Sequence, residues 1–489
     1  LIFATFALCV INITNCAFAT SPASEKPCPP QEQVSVTKHS IQLDGNTLNY
    51  TAIAGFLPIM DESGKTEANM FFVAYIKEQE DAAATPITFA FNGGPGSSSV
   101  WLHLGCLGPK RVILQEDKGP PYTLVDNKYT WLDLSDIVLI DPIGTGFSYV
   151  VDKSHEKDFF DVRKDIDSVG NFIRLFLTKY KRWSSPKYLV GESYGTLRAV
   201  GLLDYLPNEY GIKINGVVLI SSALNFEMIT FKRGNDLPYV LYLPSYTAAA
   251  WYHKKLSSDL QADLPKTLKE VQKWADNEYL VLLAKGDNLS AGEQTKLSNK
   301  LATYTGLSCE FIRKNNFRIN VFSFITELLA DKGLQIGLMD SRVTSISVPP
   351  RDDYEDPSFG AVRTTFVTAL NDYLARSLDF NSVMPYKSLS MKVNSLWQWG
   401  SAAGGFVDFT SNLTKAIIAN EKLKVFAAMG YYDLTTPFST QEYTFDHLGL
   451  EPSRKKNITY SYYNSGHQVY TSEDSLKKLK TNIATFYGN

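Results

Sequence analysis

Gly191-Glu192-Ser193-Tyr194-Gly195 constrains the fold of this chain more than any other stretch. The short apolar run Tyr188–Val190 precedes it, and a helical run from Thr196 to Leu206 follows. A serine with glycines two residues away on either side, set between a strand and a helix, implies a very sharp turn. Larger side chains at positions 191 and 195 would collide across that turn, which lifts the serine hydroxyl above the sheet edge. The pattern predicts a strand–turn–helix unit that presents Ser193 as a nucleophile.

Other apolar runs place more strands at Met70 to Ile76, Ile87–Phe91, Ile137–Ile140, Val217–Ile220, Lys424–Ala428 and Ile458–Tyr462. Ile41 to Leu43 and Thr47 to Tyr50 flank Asp44-Gly45, a pair that tolerates the positive φ of a hairpin turn. Ile166, Val169, Phe172, Ile173, Phe176, Leu177 and Tyr180 recur at helical period. Leu476, Leu479, Ile483 and Phe486 mark an amphipathic helix at the C-terminal end. Strands alternating with helices predict an α/β architecture with a mostly parallel central sheet flanked by helices.

Residues 225–392 read differently. Helical patterns recur there, as in Leu268, Val271, Trp274, in Phe322, Ile325, Leu328, Leu329, and over Arg363 to Leu378, but buried-strand runs are few. The block is predicted to be a large, mainly helical cap insertion. The resulting division is a signal peptide at 1–19, a tether at 20–39, a core at 40–224, the cap at 225–392 and a second part of the core at 393–489.

Leu1 to Ile13 is almost wholly apolar, and Ala17-Phe18-Ala19 has the A-x-A form of a cleavage site, which predicts an exported protein. No other segment approaches the roughly 20 apolar residues needed to span a bilayer. Two of the five cysteines fall in the leader, so Cys28, Cys106 and Cys309 allow at most one internal disulfide. So low a count in an exported chain favours a bacterial envelope, periplasmic or extracellular. Lys plus Arg total 48 against 51 for Asp plus Glu, a balance with no broad basic field for nucleic acid. No C-x-x-C pair is present, and no metal or cofactor is expected. Oligomeric state leaves no mark in the sequence.

A serine hydroxyl needs a base, and the base needs an orienting acid. Where the serine sits on such a turn, the acid and then the histidine follow it in the chain. His253, His447 and His467 are the downstream histidines, and His253 falls inside the predicted cap. His467 lies in Ser465-Gly466-His467-Gln468, just past a predicted strand, whereas His447 sits in a helical stretch and reads as a surface residue. Asp433, directly after the strand Lys424–Met429, is the favoured acid, with Asp408 as the weaker candidate. Phe91-Asn92-Gly93-Gly94-Pro95-Gly96-Ser97-Ser98 also follows a strand. Its glycines allow close backbone approach, and its N–H groups with that of Tyr194 suit an oxyanion hole. It matches neither G-x-G-x-x-G nor G-x-x-x-x-G-K-[ST], so a phosphate loop is excluded.

Four motifs in order carry a resemblance: Asn92 to Ser98, Asp141-Pro142-Ile143-Gly144-Thr145-Gly146-Phe147-Ser148-Tyr149, Gly191 to Gly195, and Gly466-His467. Together they resemble the serine carboxypeptidase family of the α/β-hydrolase superfamily. Tyr304-Thr305-Gly306-Leu307-Ser308 in the cap is similar in general pattern to bacterial members. The resemblance implies hydrolysis of the C-terminal bond of peptides with a free C-terminus, through an acyl-enzyme on Ser193. It implies His467 as base, Asp433 as its orienting acid, and Gly94 and Tyr194 N–H groups as the oxyanion hole. It assigns Asn92, Gly93 and Glu192 to the substrate's terminal carboxylate. Glu192 would have to be protonated to donate to another carboxylate, which implies an acidic optimum.

Some positions depart from the family pattern. Cys106 stands before Leu107-Gly108-Pro109 where a Glu is usual, and Ala90 replaces a common Trp. Without those groups Glu192 loses its carboxyl partner, which removes one reason for a raised pKa and for strict exopeptidase action. Ser97 and Thr436 occupy positions where cysteines are usual. An esterase or acyltransferase using the same three residues is the first alternative, and a non-catalytic exported binding protein on a hydrolase scaffold is the second.

Overall fold

The computed structural model describes residues 34–79, 83–114, 123–347, 355–400 and 405–488. In chain order the strands are β1 (Val34–Leu43), β2 (Asn46–Met60), β3 (Thr66–Lys77), β4 (Ile87–Phe91), β5 (Lys110–Ile113), β6 (Thr123–Asp126) and β7 (Asp136–Ile140). They continue with β8 (Tyr149–Val150), β9 (Lys187–Glu192), β10 (Gly216–Ile220), β11 (Leu334–Ile336), β12 (Thr344–Ile346), β13 (Lys424–Gly430) and β14 (Ile458–Tyr463). Nine of them lie side by side in the order β1-β2-β3-β7-β4-β9-β10-β13-β14, with β8 paired on β3. From β7 to β14 every pairing is parallel, while β1, β2, β3 and β7 pair antiparallel.

The apolar runs become the central strands because both faces of this sheet are covered. Phe89 and Phe91 enter one core with Val138, Leu189, Val217 and Val425, against the helices Val162–Lys179 and Tyr194–Tyr210. Ala90 enters the other with Leu139, Val190, Val218 and Phe426, against the C-terminal helix Glu473–Tyr487. Successive residues of a strand point to opposite faces, so five-residue runs such as Ile-Thr-Phe-Ala-Phe feed both cores.

Asp44 and Gly45 both have positive φ, 48° and 83°, and turn β1 into β2. β1 begins at Val34, inside the segment predicted as a tether, and residues 34 to 39 pair in register with Gly55 back to Tyr50. The long β2 holds them by backbone hydrogen bonds. As an edge strand β1 shows little of the apolar run that marks a buried one. The predicted signal peptide lies outside the described residues.

β10 and β13 are parallel neighbours, yet residues 221–423 separate them. The helices Leu237–Tyr252, Leu264–Trp274 and Ala291–Thr305 in that interval gather a third apolar cluster. Helix Pro357–Arg376 does not join it. Phe366, Leu370, Tyr373 and Leu374 form one helical face that packs into the main core beside Trp101 and Tyr470. Among the described residues no helix is long and apolar enough to cross a membrane.

Candidate active site

The C-terminal ends of β4, β9, β13 and β14 each deliver a loop from the sequence motifs to one sheet edge. Ser193 stands between β9 and the helix Tyr194–Tyr210 with φ 59° and ψ −130°, a conformation that non-glycine residues rarely adopt. A Cβ on Gly191 would lie 2.2 Å from the Gly195 carbonyl oxygen, and one on Gly195 would lie 2.8 Å from that of Phe91. Both glycines are therefore steric requirements. The Ser193 N–H donates to the Ile220 carbonyl at 3.0 Å, and Ser193 is the one residue of the motif that is not buried.

The glycine-rich loop presses on this turn. A Cβ at Gly93 would sit 2.5 Å from the Tyr194 nitrogen, so only glycine lets β4's extension pass so close. Gly94 and Gly96 have φ of +102° and +101°, the left-handed region that favours glycine. The backbone donors of the two segments thus lie side by side.

Asp433 and His467 meet beyond β13 and β14. His467 Nδ1 lies 2.8 Å from Asp433 Oδ2, with both side chains buried. Asp433 Oδ1 accepts from the Thr435 and Thr436 N–H groups at 2.8 and 3.0 Å, and Oδ2 accepts from the Thr436 hydroxyl at 2.8 Å. Burial works to lower the His467 pKa, but the Asp433 charge and hydrogen bond outweigh it and the net direction is upward. With the Nδ1 proton committed to Asp433, Nε2 is left as the acceptor of a neutral ring. Thr436, at a position where the family often has cysteine, fixes the acid.

Glu192 is buried beside Ser193. Asn92 Nδ2 donates to its Oε1 at 2.8 Å, and the Tyr470 hydroxyl donates to its Oε2 at 2.6 Å. Burial pushes its pKa up to about 7, against the lowering effects of His467, Tyr470 and Asn92. The absence of a carboxyl partner at position 106 removes one reason for that rise; burial supplies it instead. The Cys106 thiol is itself buried, and desolvation and the Glu192 charge push its pKa up.

Sequence reasoning missed two supports. Tyr470 stands three residues from His467 on the same loop, and that proximity is the one signal that could have found it. The other is the turn between β11 and β12: Met339 O accepts from His467 N–H at 2.6 Å, Leu338 O from Leu434 N–H at 3.0 Å, and Tyr432 O accepts from Ser341 N–H at 3.0 Å. No motif marks that turn.

The other sequence candidates are engaged elsewhere. Asp408 accepts from the Thr410 N–H, His447 is exposed and stacks on Tyr443, and His253 Nε2 lies 2.7 Å from the Ser341 carbonyl. Lys110 and Arg111, cations close in sequence to the Leu107-Gly108-Pro109 segment that could attract an anionic terminus, pair instead with Asp126 and Glu473. The acidic run Asp352, Asp353, Glu355 and Asp356 lacks the D-x-[DN]-x-[DN]-G pattern of a calcium loop; Asp356 accepts from the N–H groups of Leu338 and Met339, while Asp352 and Asp353 lie outside the described residues. Among the described residues no group of three or more His, Cys, Asp or Glu is arranged to hold a metal ion. Cys106 and Cys309 are free thiols, and Cys28 lies outside the described residues.

The parallel strand order, with a serine turn after β9 and an acid–histidine pair after later strands, defines an α/β-hydrolase. A family model described as serine carboxypeptidase matches residues 43–486, and the chain belongs to that family. It is similar to serine carboxypeptidase-like 16 of Arabidopsis thaliana, 29% identical over 176 residues, which are 34% of this chain and 39% of that protein. It is also similar to serine carboxypeptidase S10 family member 1 of Dictyostelium discoideum, 29% identical over 180 residues, 36% of this chain and 39% of the relative. The aligned stretches thus span well under half of those relatives. The crystal structure of Kex1, a prohormone-processing carboxypeptidase from Saccharomyces cerevisiae, superposes with a TM-score of 0.57 at 17% identity, covering 89% of this chain and 91% of that one. That likeness concerns the fold. These relatives are eukaryotic, so the expected likeness to bacterial members and the bacterial envelope read from the cysteine count find no support in them.

Proposed function

We propose that this chain is an exported serine carboxypeptidase, releasing C-terminal residues from peptides through an acyl-enzyme on Ser193. His467 Nε2 takes the Ser193 proton as Oγ bonds to the scissile carbonyl carbon. Asp433 holds the ring and stabilises the imidazolium that results. The Gly94 and Tyr194 N–H groups receive the developing oxyanion. Collapse breaks the C–N bond, and His467 hands its proton to the leaving amine. Water then repeats the sequence on the acyl-enzyme, with His467 as base, and returns Ser193 to its starting state.

The observation that carries the peptidase reading is the buried Glu192–Asn92 hydrogen bond immediately before the serine. A carboxyl group that stays protonated up to about pH 7 beside the nucleophile can donate to a terminal carboxylate, and Asn92 and Gly93 join it in that role in this reading. Export is inferred from the apolar leader and its Ala17-Phe18-Ala19 site. Mass analysis of a long peptide substrate tests the reading: a ladder trimmed one residue at a time from the C-terminus is expected, and internal fragments contradict it.

Cys106 and Ala90, standing where a Glu and a Trp are usual around the carboxylate site, favour one competing reading, an esterase or acyltransferase. N-blocked dipeptides assayed against short-chain esters separate the two. Turnover of esters alone, with no amino acid released at any pH, rejects the peptidase.

A further inference from the structure

Glu192 is held by two neutral donors on opposite oxygens, and neither hydrogen bond comes from another acid. Asn92 reaches Oε1 from the loop after β4, and Tyr470 reaches Oε2 from the loop after β14. Tyr470 is 2% exposed, so its hydroxyl has little access to water. Its ring has a fitted seat. Residues His103–Leu107 form a single π-helical turn, a feature frequent at functional sites, and Gly105 in it carries no side chain. A Cβ on Gly105 would lie 2.6 Å from Tyr470 Cε2 and 2.9 Å from Cδ2, inside the ring's van der Waals envelope. The next residue of the same turn is Cys106, whose thiol feels the Glu192 charge but forms none of its hydrogen bonds. The turn therefore places a small thiol within reach of the Glu192 charge and an unsubstituted Cα against the Tyr470 ring.

We propose that Tyr470 is a positioning residue for terminal-carboxylate recognition, fixing the Glu192 carboxyl by one oxygen so that its free lone pair or proton faces the substrate. The proposal rests on the reading of Glu192 given above. Each carboxyl oxygen has two acceptor directions, so one donor on each still leaves the group able to meet a ligand. The ionisable groups that face Glu192 are His467 and Asp433 from the loops after β14 and β13, Cys106 from the π-turn, and Tyr470 itself. Of these, His467 and Tyr470 favour the ionised carboxylate, while burial and Asp433 oppose it.

Two variants perturb the contact differently. Tyr470→Phe removes only the hydroxyl, while Gly105→Ala keeps the hydroxyl and displaces the ring. Kinetics of both, with the wild type and Glu192→Gln, are measured from pH 4 to pH 9 on an N-blocked dipeptide and its C-terminal amide. Expected for Tyr470→Phe is a roughly tenfold rise in KM for the free acid at acidic pH, with the loss in KM and not in kcat. Its alkaline limb moves to higher pH, because a donor to the carboxylate form has gone. Gly105→Ala should raise KM in the same direction, and Glu192→Gln should abolish the limb. If Glu192→Gln abolishes it while both other variants keep the wild-type KM and limb, Tyr470 has no such role and the reading of Glu192 stands. A wild type that does not prefer the free acid to the amide, or a Glu192→Gln enzyme that retains the limb, overturns that reading and the proposal with it.

Discussion

Arg198 Nη1 donates to the backbone carbonyl of Asn92 at 2.8 Å while its Nε donates to Asp165 Oδ2, also at 2.8 Å. One buried guanidinium thereby ties the helix that begins at Tyr194 to the glycine-rich loop. Tyr194 closes the same network by donating its hydroxyl to Asp165 at 3.1 Å, and the guanidinium lies over the rings of Phe91 and Tyr194. The two backbone segments offered as the oxyanion hole are held together from below.

Arg198→Lys, which keeps the charge and loses the fork, should lower kcat about tenfold with little change in KM. Arg198→Met leaves Asp165 buried without its cation and should cost about 3–5 kcal/mol in denaturant unfolding. Steady-state kinetics and urea titration check the two separately. A lysine variant with wild-type kcat would show that the tie is structural only.

Ser193→Ala should reduce peptide turnover by about 10⁶-fold with no loss of melting temperature, since the side chain is partly exposed and removes no buried contact. A fluorophosphonate should label the wild type stoichiometrically and leave the variant unlabelled. A well-folded wild type that resists the reagent would favour the binding-protein alternative.

Thr436→Val removes one of the hydrogen bonds to Asp433 and leaves the two from backbone N–H groups. A fall in kcat of about tenfold is expected, with restoration by Thr436→Ser. Equal activity in the valine variant would assign the orientation of the acid to the backbone alone.

Peptide and ester substrates should differ in their pH profiles. His467 must be neutral to act as base, and its pKa is raised, so both activities fall as pH drops through that value. If Glu192 binds a terminal carboxylate as proposed, it must be protonated to do so, and its pKa is raised to about 7, so peptide kcat/KM should also fall as pH rises past about 7. The expected result is a bell for the free peptide and a single rising limb for an ester without a carboxylate. Identical profiles would remove Glu192 from substrate recognition.

Folding stability carries the same signature. An acid whose pKa rises from 4.5 to about 7 on folding binds more protons in the native state between those values. Its contribution to stability is therefore lost as pH climbs through that window. Glu192→Gln should flatten the decline between pH 4.5 and about 7, and thermal melts across the range test it. A decline as steep as in the wild type would mean that Glu192 titrates normally.

Much of the sheet was legible because central strands buried on both faces must be apolar at nearly every position. The runs Asp136-Ile137-Val138-Leu139-Ile140 and Gly216-Val217-Val218-Leu219-Ile220 are of this kind. The edge strand from Val34 was not, since backbone pairing holds it and imposes little on its side chains. The block 225–392 carries recurrent helical periodicity, but periodicity does not reveal which surface a helix will cover. The pattern therefore groups Pro357–Arg376 with helices it does not pack against.

The sharp turn at Ser193 and the meeting of Asp433 with His467 were legible from residue type, position after a strand and chain order, because a tight turn and a sheet edge impose steric rules on short sequences. The sequence by itself determined the strand–turn–helix unit, the parallel sheet and the order of the chemical groups. Only the tertiary structure decided that Tyr470 and Asn92 share Glu192, that Arg198 braces Asn92, and that Met339 accepts from His467. Those contacts join residues far apart in the chain, and their energies arise from burial and from neighbours that no local pattern encodes.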